Sequence, residues 1–148
     1  KGTFLLWRKG DISKCGWHNI SVVLFFCTLR EILLNHLISE LHLAQNIPLR
    51  IYERLLSDNM TYTQRQNKLL PSLIGKKWKE LIQVELNKFL IKAVKARNKF
   101  MHEGTKWGID RALAEGCMRH IWPLLNFYVV LHNKYVHPEF SGRTSKSS

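Results

Sequence analysis

From Trp17 to about Ala44, apolar residues recur at Ile20, Val23, Leu24, Cys27, Leu34, Ile38 and Leu41, with polar or charged residues between them. That spacing predicts a long amphipathic helix. Asn46-Ile47-Pro48 ends it, because proline disfavours helix in the residue before it and suits the first turn of the next. A short helix from about Pro48 to Leu56 follows, then the turn cluster Ser57-Asp58-Asn59. The polar stretch Thr61 to Leu70 fits either a weak helix or an ordered loop. Pro71 and Gly75 punctuate the chain before a strong helix from about Lys76 to Glu103, rich in Lys, Leu, Glu and Ala and closed by Gly104. The last helix runs from Asp110, an N-cap candidate, to about Tyr135, and Pro123 within it is expected to kink the rod. The only extended candidate is the short piece Thr3 to Trp7.

The pattern is that of an all-α protein with three regions: an N-terminal segment 1–16, a helical domain 17–138 and a polar tail 139–148 expected to be disordered. A length of 148 residues suits a single domain. With 45% hydrophobic residues there is enough apolar surface to offset the entropy of ordering the chain.

Charge changes the picture. Lysine and arginine number 23 against 11 aspartates and glutamates, a formal net charge of +12. Such a surplus favours a polyanionic partner, although it also serves solubility alone. The apolar run Ile20–Cys27 is interrupted by Arg30-Glu31 well short of the ~20 residues a membrane span needs, so no membrane association is expected. Arg8, Lys9 and Asp11 after the short stretch Phe4–Trp7 do not resemble a secretory signal. Three cysteines, Cys15, Cys27 and Cys117, without a Cys-x-x-Cys pair suggest a reducing, cytoplasmic setting.

Chemistry concentrates on the helix ending at Glu103. A helical wheel gathers Ile82, Leu86, Phe89, Leu90, Ala93, Val94, Phe100 and Met101 on one apolar face. Lys88, Lys92, Lys95 and Lys99 form a stripe on the other, suited to tracking phosphates or simply to facing water. Arg97 falls within the apolar face. A guanidinium there calls for a groove, a partner subunit or an internal carboxylate. Asn98 and His102 stand one above the other, four residues apart, where they can share a ligand; a histidine at a helix C-terminus also serves as a cap. Imidazole exchanges protons near neutrality, and an amide can hold it or a substrate by hydrogen bonds.

The run Arg97-Asn98-Lys99-Phe100-Met101-His102 resembles the signature of the HEPN superfamily: arginine, a polar residue, three variable residues and histidine. The resemblance covers the helical layout of about Trp17 to Tyr135, and its specific part is these six residues. It implies a four- to five-helix bundle and a metal-independent endoribonuclease, often a homodimer, in a family that includes many toxins and defence nucleases. By that resemblance His102 acts as general base or acid while the ribose 2′-hydroxyl attacks the neighbouring phosphate. Arg97 stabilises the charge on the phosphoryl oxygens, and Asn98 orients His102 or the phosphate. An antitoxin or other regulatory protein is a further partner it suggests. The chemistry is coherent, since a guanidinium forks onto two oxygens at once. On an ideal helix, however, Arg97 and His102 diverge by about 140°, so either the helix loosens there or two subunits combine. A dimer is the expectation.

Two readings compete: a non-catalytic module binding RNA or protein through the same surface, and an interaction domain in which Arg97 belongs to an internal ion pair. Cys15-Gly16-Trp17-His18 and Cys117-Met118-Arg119-His120 each read Cys-x-x-His, but two loose pairs fall short of a zinc motif, and no metal or cofactor is expected. Nucleophile elbows, phosphate-cradling glycine loops and paired acidic clusters are absent from the sequence. Trp7, Trp17, Trp78 and Trp122 read as core or interface anchors, whereas Trp107, just past the motif, is a candidate for stacking on a base.

Overall fold

A computed structural model describes residues 12–104 and 108–137, with side chains from Gly16 onward. Among the described residues all regular structure is helical. The elements are α1 (Ile12–Ala44), α2 (Leu49–Asp58), α3 (Tyr62–Gln64), a π-helical turn (Arg65–Leu69), α4 (Leu70–Ile74), α5 (Trp78–Leu81), α6 (Val84–Glu103) and α7 (Arg111–Tyr135).

The ends of these helices follow from local chemistry. Asn46 takes a positive φ of 54°, and the Ile47 amide donates to the His42 carbonyl at 3.1 Å, closing α1 just before Pro48. The Asp110 carboxylate accepts from the Leu113 amide at 2.8 Å and so caps α7 as expected. The polar stretch from Thr61 is helical after all. Its start is a capping box in which Thr61 Oγ1 accepts from the Gln64 amide and Gln64 Oε1 accepts from the Thr61 amide.

Two boundaries depart from the sequence pattern. The first helix begins at Ile12, within the region assigned to an N-terminal segment. The expected rod from Lys76 to Glu103 is broken: Ile82 takes an extended conformation (φ −96°, ψ 143°) between α5 and α6. Both Trp78 and Ile82 are buried, so the core takes Ile82 from a break in the helix. A wheel assumes one continuous rod and cannot register that. The tail 139–148 lies outside the described residues.

The chain divides into two compact units, one holding the residues up to Arg30 with Glu85–Pro123, the other Glu31–Val84 with the residues from Leu124. In the first, α1 and α6 run antiparallel: Trp17 meets Phe100 and Phe26 meets Phe89, edge-to-face, with ring centroids 6.5 and 5.7 Å apart. The Phe89 ring also stacks on His120 of α7 at 4.0 Å. Gly116, one turn before His120, makes room for that ring. Around them Ile20, Val23, Phe26, Cys27, Leu86, Leu90, Ala93, Leu113 and Cys117 are buried. Each large apolar side chain contributes about 1.5–3 kcal/mol through burial. Burial, with the neighbouring Cys27, pushes the Cys117 thiol up to about 12, so it stays neutral.

In the second unit the core is built from Leu34, Leu37, Ile38 and Leu41 of α1, Leu69 and Leu70, Trp78, and Leu124, Tyr128 and Leu131 of α7. His42 stacks on Tyr52 at 3.9 Å, and Trp78 meets Phe127 edge-to-face at 5.3 Å. Arg65 opens the π turn by donating from Nη1 to Asn35 Oδ1 and from Nε to the Asn59 carbonyl. Where that turn passes into α4, the consecutive residues Leu69 and Leu70 are both buried.

By length and composition Gly16–Ala44 is apolar enough to cross a membrane, which the interruption at Arg30-Glu31 does not prevent. Much of that apolarity is used by the core through Val23, Phe26, Cys27, Leu34, Leu37, Ile38 and Leu41, and Arg30 itself is 7% exposed.

Candidate nucleic-acid interface

The six motif residues lie in the last turns of α6, whose regular winding continues through Glu103. Gly104 ends it with φ 66°, a left-handed conformation that favours glycine, and its amide donates to the Phe100 carbonyl at 2.8 Å. The helix does not loosen at the motif. Arg97 and His102 therefore keep the divergence of about 140° that five helical residues impose.

Asn98 and His102 are exposed and one turn apart, on one side of α6. Arg97 is half-buried, and its Nε donates to Asn98 Oδ1 at 2.9 Å. Asn98 thus engages Arg97, where the sequence pattern assigned it to His102 or the phosphate. A guanidinium has the planar fork geometry that suits phosphate oxygens.

Lys88, Lys92, Lys95 and Lys99 are all exposed, and from Lys88 to Lys99 the axis advances about 16 Å. On the helical wheel His102 stands at the edge of this stripe, within about 60° of its centre line. The apolar face assigned to the last turn is corrected: Met101 is 62% exposed and Phe100 half-buried, so full burial on α6 stops at Ala93. Trp107, the expected stacking residue, lies outside the described residues.

Trp17 carries a signal the sequence did not single out. It is 56% exposed and stands against Phe100 of the motif. Its partner is more than eighty positions away in sequence, so no local pattern could pair them.

The second unit assembles a group that sequence spacing also missed. His36 and His132 stack with parallel rings 6.0 Å apart, His137 lies 4.9 Å from His132, and His36 Nε2 is 3.9 Å from Glu40 Oε1. His36 and His132 border an apolar pocket of about 280 Å³ also lined by Leu33, Leu37, Leu125, Tyr128 and Val129. Burial foremost, then the neighbouring His137, lowers the His132 pKa; His36 adds to this and Glu40 opposes it.

Among the described residues no three His, Cys, Asp or Glu side chains are grouped to hold a metal ion. The ring of His120 is already stacked on Phe89, and its Nδ1 donates to the Gly116 carbonyl at 2.7 Å; Cys15 lies outside the described side chains.

No protein-family model, curated protein or solved structure matches this chain.

Proposed function

We propose that this chain is a metal-independent endoribonuclease of HEPN type, acting in the cytoplasm as a homodimer, with no membrane role. The observation that carries this reading is the contact between Arg97 and Asn98, with His102 one turn further along the same exposed side of α6. A basic side chain that forks onto phosphate oxygens and an accessible imidazole are what 2′-hydroxyl attack on a phosphodiester requires. The four exposed lysines and the net charge of +12 support RNA as the ligand.

In the proposed reaction His102 takes the 2′-hydroxyl proton as the oxygen attacks the adjacent phosphorus. The P–O5′ bond breaks and the leaving oxygen takes a proton from solvent water, giving a 2′,3′-cyclic phosphate and a 5′-hydroxyl. Arg97 stabilises the charge on the non-bridging oxygens, and Asn98 holds the guanidinium toward the reacting side. The divergence of Arg97 and His102 on a regular helix is met by pairing two chains, so that Arg97 of one acts with His102 of the other. Consistent with the family likeness, the helices form a four- to five-helix HEPN bundle whose α7 is kinked at Pro123. The chain serves as a toxin or defence nuclease restrained by an antitoxin or regulatory protein.

The test is cleavage of mixed cellular RNA in EDTA by wild type and by His102→Ala, with folding checked by circular dichroism. Wild type is expected to produce fragments ending in 2′,3′-cyclic phosphate and the folded variant to be inert. The same divergence favours a second reading, a non-catalytic module that binds RNA or protein through this surface. Binding of RNA by wild type without any cleavage selects it.

A further inference from the structure

The second unit holds an apolar pocket of about 280 Å³ for which the reaction above has no use. Of its lining residues Leu37 and Tyr128 are buried and Val129 is 53% exposed, so the space reaches from the core to the surface. At about 280 Å³ it is nearly twice the ~150 Å³ of an apolar cavity that takes benzene, which leaves room for an alkyl chain of medium length. His36 and His132, one turn on from Leu33 and Val129, also line it, and their rings stack 6.0 Å apart.

Those two imidazoles belong to a group with more bases than acids. His137 lies 4.9 Å from His132, and the carboxylate beside them, Glu40, places Oε1 3.9 Å from His36 Nε2. Among the described residues no hydrogen bond is made by the His132 ring. Burial disfavours a proton on His132, as do His137 and His36, and of the neighbouring groups only Glu40 favours one. A second anion at the ring would shift that balance toward the imidazolium. We propose that the pocket binds a medium-chain monocarboxylate, with its alkyl chain in the apolar space and its carboxylate against His132 and His36. Burial of the chain supplies affinity, and the paired charges select the head group. His132 takes up a proton as the anion binds. Affinity therefore rises as pH falls from neutrality into the histidine range, where a carboxylate is still ionised. The site is independent of the nuclease reading.

The experiment titrates octanoate into the full chain at about pH 6 and about pH 7.5, following the methyl groups of Leu125 and Val129 by NMR, with 1-octanol as the uncharged control. Saturable shifts of those methyls are expected with octanoate, with affinity about tenfold higher at the lower pH. Octanol, which has no charge to pair, should bind equally at both. In His132→Gln the pH dependence should largely vanish, and in Leu125→Trp, whose larger side chain fills the space, neither probe should bind. Octanoate that leaves the two methyl groups unmoved at the lower pH overturns the proposal, as does equal affinity at both pH values. A pH dependence unaltered in His132→Gln also overturns it, since the anion then sits against other basic groups. If Leu125→Trp does not fold, the wild-type spectra decide the location: shifts confined to other methyls overturn it. None of these measurements reads RNA cleavage, so their failure leaves the nuclease proposal standing.

Discussion

Arg97 is rooted on α6 about 140° around the axis from His102, yet its Nε donates to Asn98 Oδ1 at 2.9 Å, beside the exposed side that His102 shares. The guanidinium is thereby held beside Asn98 on the surface of α6. Asn98→Ala removes this tether. A hydrogen bond of this kind is worth about 0.5–1.5 kcal/mol, so the single-turnover cleavage rate should fall by up to about tenfold with the fold intact. An unchanged rate would show that Arg97 needs no tether.

The lysines of α6 make a separate prediction about salt. Each phosphate contact on a single strand contributes about 0.7 to the slope of log affinity against log salt. Replacing Lys92 and Lys95 together with alanine should reduce the magnitude of that slope by about 1.4. Titration of RNA at several salt concentrations measures it, and an unaltered slope would mean that the stripe only faces water.

The packing around Phe89 leaves no room for a methyl group at position 116. A Cβ on Gly116 would lie 2.6 Å from Phe89 Cε1, and that ring is held between Phe26 and His120. Gly116→Ala should destabilise the protein by about 1–3 kcal/mol, the usual range for overpacking. Urea denaturation read by circular dichroism tests this; a midpoint equal to wild type would mean that the ring moves aside freely.

His132 gives the pH dependence a direction. Its pKa is lowered in the folded chain, so below the ordinary histidine value of about 6.5 the unfolded chain binds the proton more readily. Stability should therefore fall as pH drops from about 6.5 toward the folded value, and rise again as pH is raised through the same window. In His132→Gln that slope should be shallower; an identical slope would assign it to other groups. His36, Glu40 and His137 all face this ring and remain in the variant.

The helical ends were legible where a single residue sets the backbone. Asp110 caps α7, Gly104 closes α6 and Asn46 precedes the Pro48 break, each as local chemistry requires. The lysine stripe was legible too, because four side chains at helical spacing on a polar face have little choice but solvent. What the pattern missed depends on distant partners. Burial takes Ile82 out of helical geometry, Met101 is exposed despite its apolar character, and Trp17 and His36 meet residues far along the chain. Asn98 shows the limit for the candidate site: its position on α6 was evident, but which neighbour its amide engages depends on side-chain geometry that a wheel does not contain.

The π turn at Arg65–Leu69 sets one place where the length of this chain can change cheaply. Such a turn is an α-helix carrying one surplus residue, so deleting one position there closes an ordinary turn and leaves Leu70–Ile74 presenting the same side chains inward. A deletion in the middle of α1 would instead rotate everything beyond it by about 100° and send its apolar face into water. Among related sequences, single-residue gaps should gather at this turn and be excluded from the long helices on either side.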